Sequence, residues 1–157
     1  YLNAELCEAI GATYDSTAAT SIAQSTEKYG PYKLIFESTG YSPIIFDAMQ
    51  ALNENGILIL ASVTGGDRKA DQVPSDKINQ MFVLGNRALV GTVNANREHF
   101  EMGVKDLALC EAMHPGWLGR MLTHKVVGLE NFAEAFEILN NTGKYKAIKT
   151  YFEVKKI

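Results

Sequence analysis

Three short apolar runs separated by helix-like segments constrain this chain more than any other feature. Lys33-Leu34-Ile35-Phe36-Glu37, Ile57 to Ala61 and Ala88 to Asn94 are each of strand length. Each is followed by a polar turn and then an amphipathic stretch. In the last run Val90, Thr92 and Val93 are β-branched and only Thr92 and Asn94 are polar, which predicts a strand buried on both faces. Alternation of this kind builds a parallel sheet with helices on both sides. The predicted fold class is therefore α/β, a doubly wound, Rossmann-like parallel sheet.

The other elements follow from caps and breakers. Residues 3–10 read as a helix with Leu6, Ala9 and Ile10 inward and Gly11 closing it. Ala12 to Asp15 reads as a short strand, and Thr17 to Tyr29 as a polar helix ended by Gly30-Pro31. Ser42 and Pro43 predict the cap and first turn of a helix whose apolar stripe is Ile45, Met49 and Leu52, with Asn55-Gly56 as its stop. Residues 67–74 are irregular. Ser75 opens a helix through Ile78, Met81 and Phe82 to about Gly85. Asn94 and Asn96 can each cap the helix that carries Phe100, Val104, Leu107 and Ala108 on one face.

Beyond that helix, His114-Pro115-Gly116 is a sharp break. Trp117 to Leu122 is helical and His124 to Val127 extended. Leu129 to Leu139 is a helix with Phe132, Ala135, Phe136 and Leu139 inward, ended by Gly143. Ala147 to Val154 closes as a strand. No internal repeat or low-complexity segment occurs.

In an open α/β sheet, ligands bind at the carboxyl ends of the strands. That places Thr92, Val93 and Asn94 at the mouth of a site, beside the loop Ser62-Val63-Thr64-Gly65-Gly66. A complete dinucleotide fold would open with a strand, a G-x-G-x-x-G turn and a helix. None of these glycine patterns is present, nor is the charged residue that sorts NAD from NADP. The first residues, Tyr1-Leu2-Asn3-Ala4-Glu5-Leu6, show no initiator Met, no signal peptide and no leading loop. The chain is thus expected to be a piece of something longer, holding at most the later half of such a fold.

Composition narrows the functional classes. With 15 basic and 18 acidic side chains and a formal net charge of −3, no basic stripe suggests nucleic acid and no polybasic cluster suggests a membrane surface. The apolar runs are too short to span a bilayer. Cys7 and Cys110 do not make a disulfide framework, so a reduced, cytoplasmic setting is expected. His99, His114 and His124 have no metal-ligand spacing with these cysteines, and no metal site is expected in this chain.

Gly91-Thr92-Val93-Asn94-Ala95-Asn96-Arg97-Glu98-His99-Phe100 closely resembles a segment of microbial glucose dehydrogenases of the zinc-dependent, medium-chain alcohol dehydrogenase superfamily. Tyr32-Lys33-Leu34-Ile35-Phe36-Glu37-Ser38-Thr39-Gly40 resembles the strand and loop that family writes as D-x-I-x-E-A-T-G, with Ser38 in place of the commoner Ala. Asn55 to Leu58, Gly128 to Phe132 and Ala147 to Thr150 resemble later family segments. The likeness covers nearly the whole chain.

The resemblance implies roles by position. Ala61, Ser62 and Val63 would border the nicotinamide of NADP or NAD through backbone groups. Thr92 and Val93 would hold its carboxamide through backbone, and Thr39 would flank the cofactor. Asn94 would reach both cofactor and a sugar hydroxyl. Lys149 would lie near the cofactor phosphates.

The bland readings stand beside these. Asn94 can be only a helix cap. Ser62 and Thr64 can be turn formers, and Lys149 a solvated edge charge. Glu37 stands at a strand end, where a catalytic role is open by position, but it reads as a loop former; Cys110 reads as core, and Trp117 and Phe132 as packing anchors.

The resemblance further implies residues 1–116 as the later part of a nucleotide-binding domain and residues 117–157 as a segment returning to a catalytic domain. Zinc would polarise the C1 hydroxyl of glucose or a similar aldose while hydride leaves for the nicotinamide. The zinc ligands and proton relay would precede Tyr1, so no catalytic residue is assigned in this chain. The isolated piece is expected to be inactive. A homo-oligomer, dimer or tetramer, would form through the sheet edge. The rivals are another polyol or alcohol dehydrogenase of the superfamily and a non-catalytic dimerisation fragment.

Overall fold

The computed structural model describes residues 2–70 and 72–154. Residues 15–95 form one unit, and the segments before and after them form a second.

The first unit runs α2 (Ile22–Tyr29), β1 (Tyr32–Glu37), α3 (Ser42–Ala51), β2 (Leu52–Leu60), α4 (Ser75–Leu84) and β3 (Ala88–Gly91). The strands make one parallel sheet in the order β1-β2-β3. Ile35, Leu58 and Leu89 lie in register across it, as do Glu37, Leu60 and Gly91. Leu58, in the middle strand, is wholly buried, and with Leu52 and Ala48 it forms a core on which Ile35, Met49, Leu60 and Phe82 pack. This is the α/β, parallel, Rossmann-like architecture that the alternating pattern predicts.

Local departures have local causes. Helix α2 starts at Ile22 rather than Thr17, because Ser21 takes the N-cap. Its side chain accepts from the Gln24 amide while the Gln24 side chain accepts from the Ser21 amide. No strand forms at 12–15. The cap of α3 is Tyr41, not Ser42, and Pro43 sits one residue inside the helix. That helix ends at Ala51, so Leu52 starts a strand instead of completing the helical stripe. Asn55, at φ +56°, marks an irregularity in β2, where the register with β1 slips.

The third strand is shorter than predicted and lies open. It ends at Gly91, and all four of its residues are exposed. Among the described residues it is the last strand of the sheet, with one edge unpaired. An apolar run shows what a strand can bury, not what is present to bury it.

The second unit holds α1 (Leu2–Glu8), α5 (Arg97–Met113), α6 (Trp117–Met121), β4 (His124–Val127), α7 (Phe132–Asn140), α8 (Thr142–Tyr145) and β5 (Thr150–Glu153). Gly11, at φ +76°, closes α1 as expected: its amide and that of Ala12 bond back to Glu8 and Cys7 carbonyls. Leu6 is buried, but Ala9 is exposed and Ile10 only half-buried. Trp117 is a packing anchor, its indole N–H donating to the Leu6 carbonyl at 2.8 Å.

Strands β4 and β5 pair in parallel over a core of Val126, Ala135 and Ile138. Helix α7 therefore turns Ala135 and Ile138 inward. Phe132, Phe136 and Leu139, expected inside, are exposed, and the two rings meet edge to face. The helix has apolar residues on two sides, and the sheet covers one. It ends at Asn140, so Gly143 falls within α8 rather than closing α7. The face of Phe100, Val104 and Leu107 on α5 is likewise exposed, and Cys110 is half-buried rather than core. Periodicity of 3.6 marks a face able to be buried and says nothing of its partner.

Candidate functional site

The carboxyl ends of the three parallel strands meet in one place. The Ala61 amide donates to the Glu37 carbonyl at 2.9 Å, and the Thr92 amide donates to the Leu60 carbonyl at 2.9 Å. These two bonds carry the sheet ladder one step past each strand. Ser38–Gly40, Ala61–Val63 and Thr92–Asn94 are thereby set side by side as three successive strand tips. Gly40 sits at φ +67°, where a Cβ would stand 3.2 Å from the Val63 carbonyl oxygen. The first tip thus lies against the second, and the left-handed backbone there favours glycine.

These tips are open to a ligand. Thr92, Val93 and Asn94 are exposed, Val93 at 75%. Val63 is exposed, and Ala61 and Ser62 are half-buried. Among the described residues, no hydrogen bond occupies the backbone amides of Ser62, Val63, Val93 or Asn94. An irregular segment with free amides at the carboxyl edge of a parallel sheet is where such folds receive polar ligands.

The two asparagines separate. Asn96 caps α5: its Oδ1 accepts from the His99 amide at 3.0 Å, and His99 Nδ1 accepts from the Asn96 amide at 3.2 Å. His99 is thus a helix-capping residue. Asn94 is not the cap, and its side chain has no hydrogen-bond partner among the described residues. The helix-cap reading of Asn94 is thereby removed.

Thr39 is differently placed. Its amide and its hydroxyl both donate to Glu37 Oε1, at 2.7 and 2.5 Å, and its Oγ1 accepts from the Tyr41 amide at 3.1 Å. Its polar side chain therefore serves the turn. Glu37, for which the sequence favoured a loop role over a catalytic one, is neither a plain turn residue nor exposed to solvent. It is 3% exposed, and its second oxygen, Oε2, is buried without a partner among the described residues. The available signal was a charged residue ending a run that is otherwise apolar at its centre, followed two residues later by threonine.

Lys149 belongs to the other unit. It directly precedes β5, its carbonyl accepts from the Thr123 and His124 amides, and its exposed side chain makes no ion pair among the described residues. Among the described residues no three His, Cys, Asp or Glu side chains gather in a metal-holding group, and no helix is long and apolar enough to cross a membrane.

Comparison with known proteins agrees on one family. The family model described as glucose dehydrogenase C-terminus matches residues 2–153. The chain is 38% identical over 136 residues to glucose 1-dehydrogenase of Methanocella arvoryzae, covering 87% of this chain and 37% of that protein. It is 30% identical over 159 residues to glucose 1-dehydrogenase 1 of Caldivirga maquilingensis, covering 98% of this chain and 40% of that protein. Among solved structures, it superposes on Haloferax mediterranei glucose dehydrogenase in complex with NADP, Zn and gluconolactone. The TM-score is 0.80 at 27% identity, over 99% of this chain and 41% of that one. The chain therefore spans about two fifths of the relatives it matches.

Proposed function

The chain belongs to the family of the glucose dehydrogenase C-terminus, and on that premise we propose that it holds the nicotinamide end of NADP or NAD in a longer glucose 1-dehydrogenase. The observation that carries this reading is the meeting of three strand tips, the third of them exposed, with Thr92 bonded to β2 directly beside Ala61. The solved relative with NADP and gluconolactone supports it.

When bound, the nicotinamide supplies the acceptor for a hydride from C1 of glucose or a similar aldose. The work of this chain is positional. The free amides of Val93 and Asn94 offer donors to the carboxamide oxygen, and the Thr92 carbonyl offers an acceptor to its NH₂. Backbone groups of Ala61, Ser62 and Val63 border the ring, and Thr39 flanks it through its carbonyl, since its N–H and hydroxyl serve Glu37. Asn94 presents both an acceptor and a donor to a sugar hydroxyl. The Lys149 ammonium is a candidate partner for cofactor phosphate. Small errors in such positioning cost large factors in rate.

Among the described residues no zinc ligand set gathers, and the work of this chain is to hold the cofactor and the sugar. In the same reading, residues 1–116 contribute to nucleotide binding and residues 117–157 return to a catalytic domain. The free edge of β3 would join copies into a homo-oligomer, and a cytoplasmic setting suits the two unpaired cysteines.

The test uses the longer polypeptide that carries this chain. Glucose-dependent reduction of NADP or NAD is expected from it, and none from these 157 residues alone. In the longer enzyme Asn94→Ala should lower kcat/KM for glucose roughly tenfold or more, with the unfolding midpoint unchanged. A substrate panel that prefers sorbitol or threonine to glucose would sink the sugar assignment.

A further inference from the structure

We infer that Glu37 is a positioning residue of the proposed nucleotide site, acting through Thr39 to fix the β1 turn against the β2 loop. This rests on the nicotinamide-holding reading above. Three observations carry it. The Glu37 carboxyl group is almost wholly buried at the end of β1. One of its oxygens takes both the amide and the hydroxyl of Thr39, at 2.7 and 2.5 Å, and Thr39 in turn accepts from the Tyr41 amide. The backbone of the same residue accepts from Ala61, the first residue of the neighbouring loop, while Gly40 lies against Val63.

Glu37 is thus the node joining two of the three strand tips. Its side chain sets the path of residues 38–41, and its carbonyl anchors the start of 61–63. A fold seeking only stability would place an apolar residue here, because it pairs across the sheet with Leu60 on the core side. A buried carboxyl group with one oxygen unpartnered is costly. Such a cost is characteristic of sites where shape serves function. Moving the turn would move the wall of the loop that borders the nicotinamide, without touching the sugar.

The experiment reads cofactor affinity apart from sugar handling, in the longer enzyme. NADPH affinity, or NADH affinity where the wild type binds that cofactor instead, is measured by fluorescence on binding, and KM for glucose and thermal midpoint are measured beside it. Glu37→Ala should weaken NADPH binding about tenfold, and Thr39→Val, which keeps the amide bond but loses the hydroxyl, about threefold. In both, KM for glucose should stay within about twofold, the size of a negligible free-energy change. Glu37→Gln keeps an oxygen for Thr39 and Thr39→Ser keeps the hydroxyl, and both should restore binding close to wild type.

Unchanged NADPH affinity in Glu37→Ala or, should that variant not fold, in Thr39→Val would overturn the inference. So would equal losses for cofactor and glucose accompanied by a collapsed thermal midpoint, which would mark a purely structural role. Failure of the wild-type enzyme to bind either NADPH or NADH would instead remove the functional reading on which the inference stands.

Discussion

The described residues form two parallel sheets that differ in how their ends are satisfied. In the β1-β2-β3 sheet, the turn after β1 is tied through Thr39 to Glu37, but the segments after β2 and β3 leave the amides of Ser62, Val63, Val93 and Asn94 without hydrogen-bond partners among the described residues. In the β4–β5 sheet the ends are tied by several bonds, although Thr150 Oγ1 at the start of β5 is buried without a partner among the described residues. Thr123 Oγ1 accepts from the Ile148 amide at 2.9 Å and donates to the Lys149 carbonyl at 3.2 Å. The Gly128 amide donates to the Glu153 carbonyl, and Asn131 Nδ2 donates to the Val127 carbonyl. Both sheets rest on a small apolar core, so core packing does not separate them. The difference lies in whether polar groups at the strand ends bond to one another or remain for something else. Structural segments satisfy their own polar groups, and a binding edge withholds them.

The largest test removes the foundation beneath the open edge. Leu58→Ala, at the centre of the buried cluster with Ala48 and Leu52, should lower stability by about 2–5 kcal/mol. Urea unfolding followed by near-UV dichroism reads it. A loss under about 1 kcal/mol, the range of tolerated swaps, would mean that this sheet is loosely packed and its open tips are only disorder. That outcome would break the comparison.

A smaller effect tests the tied edge. Thr123→Val keeps the size of the side chain but removes its bonds to Ile148 and Lys149. The expected cost is about 1–2 kcal/mol, since an amide is left unsatisfied, with faster hydrogen exchange confined to residues 123–124 and 148–150. An unaltered exchange pattern would show that the second sheet does not depend on its ties.

The sequence made the scaffold legible because strand and helix periods are local. The three strands, their parallel order and the helices between them follow from alternation and breakers, as Gly11 and Gly85 illustrate at helix ends. Burial was less legible, since it depends on neighbours. The faces of Phe100 on α5 and Phe132 on α7 have the right spacing, and both lie exposed. Competing caps were ambiguous for the same reason: Asn94 and Asn96 are chemically alike, and only backbone geometry assigns the cap to Asn96. The side-by-side placing of the three strand tips was legible from topology. The role of Glu37 was not, because nothing in a linear reading shows that its carboxyl group turns inward onto Thr39.

The smallest effect sharpens the comparison at the surface of the second unit, where polar groups pair even in full solvent. The Lys144 ammonium donates to the Tyr145 hydroxyl at 3.2 Å and to Glu137 Oε1 at 3.4 Å. The bond to Tyr145, the charge Tyr145 acquires on ionising, and then Glu137 hold the lysine above its ordinary value of 10.5. A raised lysine stabilises the fold fully below its unfolded value, and that contribution fades as pH rises through the folded value. Lys144→Met should therefore lower the urea midpoint slightly at pH 8, and wild type and variant should converge above 10.5. The pair is exposed, so added salt should shrink the difference. A gap that persists unchanged at alkaline pH and high salt would mean that Lys144 acts through its methylene stem packed on the Tyr145 ring rather than through its charge.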